Sequence, residues 1–500
     1  MSKMYIYDVR GIQGYIFRTN KMKEVMGASA LVESLIISLF RKCTESEGSD
    51  KTVLYDLKEG SDTVVDPSKA LQFMKGDIDA EILYYGGGNL LVLYKEDEFA
   101  ERVSIAMCRE LIKRTYSLRM AYAGVDITGN FSEDSRRLRE RMNKKKLDMP
   151  PAIPVPGFPV TVNDPVTGMP FSEVSNNRMC TYESKVKLAS YARMNFDAQQ
   201  INTFGAEEGD SLIAVVHIDG NSMGKYIRDN TQNVTDYEKA AETYRTLSER
   251  IQETFVEKTL GSVIDSVDDF CRVADMPEKI RKNAFRKIIG AGDDITFICN
   301  ARIAMNCVRK FMSELERNNI ENGTSFTACG GVYVTHSHFP FARAYECVEE
   351  LCDSAKKKSR KVEGNYVDFY LNTGGILNSL DVLRDEFYTY PDGKKVYERP
   401  YHLGGQSEDN SSSELDELIS TINTLNSTVA RTKLKGLREA FSESPESVMN
   451  GLRLVNSRLE SNSRINITDE EGRFDYRKAG ILFDAIDVLD LKWGETYDGE

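Results

Sequence analysis

Five hundred residues with 41% hydrophobic and 29% charged content can fill several hydrophobic cores, roughly three or four by domain size. The net charge of −13 argues against avid, sequence-blind binding to nucleic acid, which needs a basic surface. No apolar run approaches the ~18 residues that span a bilayer, and the chain opens in a strand pattern without signal-peptide character, so a cytoplasmic protein off the membrane is expected.

In chain order, Met4 to Val9 alternates like a strand, and Lys23 to Cys43 has helical periodicity. Glu81–Tyr85 and Leu90–Tyr94 flank Gly86-Gly87-Gly88-Asn89, a hairpin signal. A helix from about Asp97 to Lys113 and a strand from Met120 to Ile127 complete a β-α-β-β-α-β order. The same order returns downstream. Ser211–Asp219 is a near-continuous apolar strand, the pattern of a central position buried on both faces. It is followed by a helix over Tyr237–Leu260 and a second hairpin, Lys287–Ile289 and Ile295–Ile298 around Gly290-Ala291-Gly292-Asp293-Asp294. Then come a helix (Ala301–Asn318), a strand (Phe326–Thr335), a helix (Phe341–Lys358) and a strand (Tyr366–Tyr370).

Asp8 to Gly88 spans 80 residues and Asp219 to Asp293 spans 74, so each copy pairs a strand-terminal Asp with a Gly-rich hairpin. The repeat predicts an α+β chain of two ferredoxin-like units, 1–130 and 209–375. Residues 131–208 form a helical and Pro-rich connector (Pro150 to Pro159, then Asn163 to Pro170), 376–412 an insert and polar linker, and 413–500 a helical domain. The nine cysteines contain no C-x-x-C pair and read as buried thiols of a reducing compartment. Two basic runs, Arg136–Lys146 and Lys356–Lys361, read mostly as solvated helix faces.

In this topology the first and third strands are antiparallel neighbours, which sets Asp219 beside Asp293 and Asp294 at one sheet edge. Three carboxylates so close have raised pKa values unless a cation holds them. Mg²⁺ or Mn²⁺ suits such oxygen ligands, and a two-ion site can serve in-line phosphoryl displacement. Asp219, Asp293 and Asp294 are therefore the candidate catalytic and metal-binding residues. Gly290 and Gly292 suit a tight turn, which needs positive φ, and let substrate phosphate approach the backbone, most closely at Gly292. The loop Gly220-Asn221-Ser222-Met223-Gly224-Lys225 offers free amides and a lysine to a triphosphate, and Lys356 is a further phosphate candidate.

At these motifs the chain resembles the large polymerase-like subunit of type III CRISPR effector complexes, the Cmr/Csm large-subunit type with two palm domains. The resemblance rests on Asp8-Val-Arg-Gly-Ile-Gln13, Gly86-Gly-Gly-Asn89, Ile218-Asp-Gly-Asn-Ser-Met-Gly-Lys225, Ala291-Gly-Asp-Asp294, and Ala328-Cys-Gly-Gly331 with Ala355-Lys356, spread over most of residues 1–375. It implies an ATP-using nucleotidyltransferase making cyclic oligoadenylate or cyclic dinucleotide signals in antiviral defence. It also implies a second nucleotide pocket touching Asp8, Gly87, Gly88 and Asn89. Partners would be ATP or another NTP, RNA or effector subunits, and a second copy of the chain. The alternative is a non-catalytic palm scaffold that binds nucleotide or RNA. The sequence departs from the family at Ala291 (a glycine there), at Asn221 (commonly Asp) and at Gly88-Asn89, which replaces an acidic pair and leaves the first palm catalytically empty. Asp164–Phe171 looks like a zinc ribbon that has lost its cysteines. No His-Asp nuclease domain is read ahead of the first palm, and His336 and His338 are structural or surface residues.

Overall fold

The computed structural model describes residues 2–59, 64–86, 88–149, 160–175, 178–194, 212–372, 374, 379–404 and 413–494. Gly87, the Pro-rich stretch at 150–159 and most of the polar break after Gly404 lie outside the described residues. Among the described residues no helix is long and apolar enough to cross a membrane, and the nine cysteines are all free thiols.

The first copy runs β1 (Lys3–Arg10), α1 (Ile12–Phe17), α2 (Met22–Glu33), α3 (Leu35–Glu47), β2 (Val53–Leu54), β3 (Ala80–Gly86), β4 (Asn89–Tyr94), α4 (Asp97–Thr115), β5 (Arg119–Asp126) and α5 (Phe131–Asp148). Its sheet order is β2-β3-β4-β1-β5. The single periodic stretch expected over Lys23–Cys43 is two helices, broken at Ser34, whose ψ of 5° leaves the helical region. A two-stranded ribbon, β6 (Glu173–Ser175) and β7 (Arg178–Cys180), and α6 (Tyr182–Arg193) follow.

The second copy begins with β8 (Leu212–Gly220), α7 (Met223–Thr231) and α8 (Tyr237–Gln252). The expected helix end at Leu260 is overrun: a π-helical stretch, Glu253–Leu260, leads straight into α9 (Gly261–Val273). The apolar stripe continues through Val263 and Phe270, both buried, so nothing stops the helix. After the short α10 (Glu278–Arg281) come β9 (Phe285–Ala291), β10 (Asp294–Asn300), α11 (Ala304–Asn322), β11 (Ala328–His336), α12 (Phe341–Ser359) and β12 (Asn365–Leu371). α13 (Leu380–Phe387) and β13 (Tyr401–Leu403) close the sheet in the order β13-β12-β11-β8-β10-β9. The edge strand β13 is too short to register as a pattern in the sequence.

The two copies correspond residue for residue at the strand ends. Asp8 pairs across the ladder with Asn89, and Asp219 with Asp294. α5, which the sequence places in the connector, occupies in the first copy the position of α12 in the second. Lys146 lies fifteen residues beyond Phe131, the first residue of α5, and Lys356 fifteen beyond Phe341, the first of α12.

One hydrophobic core joins the copies: Tyr7, Phe17, Phe40 and Tyr94 of the first share it with Val215, Ile288, Tyr333 and Tyr345 of the second. A second core lies on the other side of the second sheet and takes in the last four helices, α14 (Glu414–Thr428), α15 (Arg431–Phe441), α16 (Pro445–Asn456) and α17 (Tyr476–Asp487). Their apolar stripe covers that sheet rather than packing only on itself. Phe369 of β12 meets Trp493 edge to face at 5.3 Å, and the Trp493 indole donates to Ala301 O at 2.8 Å.

Polar contacts fix the seam. Arg245 of α8 is fully buried, and its guanidinium donates to Leu83 O, Lys69 O and Ile82 O at 3.1, 2.6 and 2.7 Å, beside the Glu81 carboxylate at 3.4 Å. Removing that cation strands a buried carboxylate and three carbonyls, a loss of about 3–5 kcal/mol. By contrast, the exposed Arg136–Glu140 pair at 2.7 Å contributes ~0.5 kcal/mol. Arg245→Ala is therefore expected to lower the Tm well beyond the shift caused by Arg136→Ala, and equal shifts in thermal denaturation would contradict this account of the seam.

Candidate active site at the palm seam

β8 is central and buried on both faces, so its only chemically free end is the C-terminal one, where Asp219 emerges. Gly220 follows because a Cβ there would lie 2.8 Å from both Asp293 Cβ and Met223 Cγ. Gly292, at φ +64°, makes the hairpin turn that presents Asp293 and Asp294. Its amide donates to Gln252 Oε1 of α8 at 3.0 Å, which ties the hairpin to the long helix. Gly290 does not have the positive φ expected of it: it is extended within β9, where its missing Cβ leaves room for the Lys287 chain. Ala291 also lies in β9 and needs no left-handed backbone, so the departure from glycine there is sterically harmless.

The carboxylates are unequal. Asp219 carries an ion pair with Lys356 of α12. Burial, then the charge of Asp219, pushes Asp293 up to about 7, and the same two causes in the same order push Asp294 up to about 7. Burial works to lower the Lys356 ammonium, but the Asp219 charge outweighs it and the group is raised. One oxygen of Asp294, Oδ2, accepts from Gln13 Nε2 of α1 at 3.3 Å, while the other, Oδ1, is buried without a hydrogen-bond partner. Behind it sits His217, two residues before Asp219 on the same strand face. Its Nδ1 is 3.0 Å from Thr296 Oγ1 and 3.6 Å from Asp294 Oδ1, and burial pushes it down to about 4, leaving it neutral.

Among the described residues no three His, Cys, Asp or Glu side chains stand arranged as a ready metal cage. The repulsion that a cation would relieve is met here by Lys356 and by the proton affinity of Asp293 and Asp294. The donor set nevertheless fits a hard divalent cation: three carboxylates at one edge, one with a buried oxygen that lacks a partner.

Two cavities flank the cluster. One, of about 720 Å³, lies between the palms and is lined by Gln13, Gly88 and Asn89 of the first and by Gly224, Gly292, Asp293 and Asp294 of the second. The other, of about 700 Å³, is basic and is lined by Gly220, Asn221, Ser222, Lys225, Lys356 and Arg360, among others. The free amides expected of the loop after Asp219 are partly committed. Gly220 N–H donates to Asp293 O at 3.3 Å and Asn221 N–H to Thr327 O at 2.7 Å. The Asn221 side-chain amide bridges Thr327 Oγ1, Ser359 Oγ and Gly364 O, so this residue braces the cavity wall. The lysine run is likewise not uniformly solvated: Lys357 is exposed, but Lys358 donates to Pro400 O at 2.7 Å and pairs with Glu414 at 3.0 Å, anchoring α14.

In the first copy Asp8 is paired by Lys146, as Asp219 is by Lys356. Gly88, at φ +76°, and Asn89 hold the positions of Asp293 and Asp294. His336 and His338 are exposed at the opposite end of β11 from this edge. The sequence reading did not single out His217, Gln252 or Lys146. The strand period of two points to His217, and Lys146 follows from extending the repeat into α5, whereas Gln252 carried no signal.

Fold and site define a duplicated palm protein, acidic at one copy's strand edge and stripped of that acid pair in the other. Residues 212–363 match the family described as "Cas10/Cmr2, second palm domain", and no curated protein matches the chain. Similar solved structures are Csm1–Csm4 cassettes. The one in complex with cA4 has a TM-score of 0.56 at 14% identity, covering 98% of this chain and 70% of that chain. The one in complex with AMPPNP has a TM-score of 0.55 at 14% identity, covering 99% and 70%. Over residues 212–363 the chain thus matches the family that its motifs resemble, and its fold as a whole is shared with those cassettes.

Both raised carboxyls bear on stability. In the folded chain they hold protons up to about pH 7, whereas unfolded they release them near 3.8, so folding is weakened as pH rises through that window. With a chelator present, Tm is expected to fall between pH 5.5 and pH 8. Asp293→Asn combined with Asp294→Asn should flatten that fall. A double variant with an unchanged slope would contradict the electrostatic account.

Proposed function

We propose that this chain is a nucleotidyltransferase of the oligonucleotide-cyclase type, acting on ATP within a CRISPR-type effector assembly, with Asp219, Asp293 and Asp294 as its catalytic carboxylates. The observation that carries the reading is the ladder pairing of Asp219 with Asp294, Asp293 adjacent, at the junction of an interpalm cavity and a basic one. The interpalm cavity is roomy enough for nucleotide, since ligand sites typically occupy ~300–1,000 Å³. It is lined by both hairpins, which suits one nucleotide from each palm meeting at the seam. In this reading a ribose hydroxyl of one nucleotide attacks the α-phosphorus of the other: a new P–O bond forms, the bond to pyrophosphate breaks, and the hydroxyl proton passes to solvent. Lys225 and Lys356 face the basic cavity, where they meet the growing charge of pyrophosphate.

The carboxylates would hold Mg²⁺ or Mn²⁺, which when bound supplies charge neutralisation for attacking and leaving oxygens. The ion pair between Lys356 and Asp219 then acts as a placeholder. With substrate present, the lysine has phosphate to pair with and the aspartate is free to ligate. The Csm1–Csm4 cassettes solved with AMPPNP and cA4 support ATP as substrate class and a second cassette subunit as partner. The same ion pair favours one other reading, a scaffold in which Lys356 permanently neutralises Asp219 and nucleotide binds without turnover.

Incubation with each NTP and Mg²⁺ or Mn²⁺, followed by mass spectrometry, separates the two. Oligoadenylate and pyrophosphate are expected from ATP, and their absence with effector partners present would leave the scaffold. Asp293→Asn with Asp294→Asn should abolish product at unchanged far-UV spectrum. Lys356→Ala should cost at least tenfold in kcat or KM, towards the ~10²–10³ of a lost electrostatic contact. Lys357→Ala should do little, and Asn89→Ala should at most weaken nucleotide binding. If Asn89→Ala stopped turnover as fully as the double Asp change, the chemistry would not belong to the second palm.

A further inference from the structure

Asp294 is the least supported of the three carboxylates by its own palm. One of its oxygens is buried and unpartnered, and the other accepts a single side-chain hydrogen bond from Gln13, 281 residues earlier in the chain. The two oxygens of a carboxylate turn together about the Cβ–Cγ bond, so the one donor on Oδ2 also sets the direction of the free oxygen Oδ1. We infer that Gln13 is a positioning residue for the second palm's site: the first palm, although it lacks an acid pair, orients Asp294 across the seam. This rests on the reading of Asp294 as a ligating carboxylate.

The first palm is built to hold that glutamine in place. Gln13 lies on α1, which leaves the strand of Asp8 through Gly11 at φ +81°. Two pins then fix α1 against its surroundings. Phe17 stacks on Tyr345 of α12, with ring centroids 3.9 Å apart and planes at 11°. Tyr15 O accepts from the buried Lys187 ammonium of α6 at 2.6 Å, and Lys187 is itself paired with Glu183 at 2.7 Å. Tyr345 in turn lies edge to face with His217 at 5.8 Å, the imidazole behind Asp294. The glutamine is thus carried on an element anchored to both the connector helix and the catalytic palm, while its own side chain is half-buried and lines the interpalm cavity. A neutral amide suits the role: it donates to the carboxylate without the competing charge that Lys356 brings to Asp219.

The test uses the full-length chain with its effector partners. Mn²⁺ binding is followed by isothermal titration calorimetry, ATP turnover by product analysis and Tm by thermal denaturation, for wild type, Gln13→Ala, Gln13→Met and Asp294→Asn. Partners of a ligating group typically contribute 10–100-fold to metal affinity or rate. Both Gln13 variants are therefore expected to weaken Mn²⁺ binding and lower kcat by about tenfold or more, with ATP KM within twofold and Tm unchanged. Methionine keeps the length and packing of the side chain and removes only the donor. If Gln13→Met matches wild type while Gln13→Ala is impaired, packing is at work and the inference is overturned. It is also overturned if both variants match wild type while Asp294→Asn loses metal and turnover. If Asp294→Asn changes neither, the reading of the site itself fails, and the inference fails with it.

Discussion

Like charge gathered at a sheet edge and half enclosed by protein is the constraint on which this structure turns. Asp219, Asp293 and Asp294 meet because antiparallel pairing of β8 and β10 leaves no other place for a strand end and a hairpin tip. Burial raises the proton affinity of two of them, and Lys356 neutralises the third. Each compensation is reversible, as the proposed exchange of protons and a lysine for cations and phosphate requires. A purely structural acidic cluster has no need of an ammonium poised on the edge of an open basic cavity.

The duplication gives this arrangement its context. Both copies carry an Asp near the end of the first strand and a lysine fifteen residues beyond the first residue of α5 or α12, and in both the two are paired. What differs is the hairpin: Gly88-Asn89 removes two carboxylates from the first copy and with them the repulsion. The first copy therefore keeps the Asp–Lys pair and loses the carboxylate pair of the hairpin. Its hairpin lines the shared cavity, and α1 reaches across to Asp294. The shared core and the buried Arg245 make the seam a fixed part of the site, not a loose interface between independent domains.

Most of this was legible in the sequence because it follows from local pattern and a repeat. The apolar run ending in Asp219, the spacing to Asp293 and the known order of strands place three carboxylates without coordinates. What was not legible depends on contacts between distant segments. A run of lysines looks the same whether solvated or not, and only packing shows Lys356 on Asp219, Lys358 anchoring α14 and Lys357 in water. Gly290 and Gly292 looked alike, but one is strand and the other turn. Asn221 and the amides after Asp219 looked available to phosphate, yet Asn221 holds the loop to Thr327 and Gly364, and the Gly220 amide is taken by Asp293 O. The C-terminal helices carried an apolar stripe whose partner, the second palm's sheet, no periodicity could name.

The central claim is that the acidic edge exchanges its lysine for divalent cations when nucleotide arrives. A crystal structure with Mn²⁺ and a non-hydrolysable ATP analogue tests it most directly, through the anomalous signal of manganese. The account predicts manganese bound among Asp219, Asp293 and Asp294, with Lys356 released from Asp219 and turned toward phosphate. Nucleotide bound with Lys356 still on Asp219, and no manganese at these carboxylates, would contradict it.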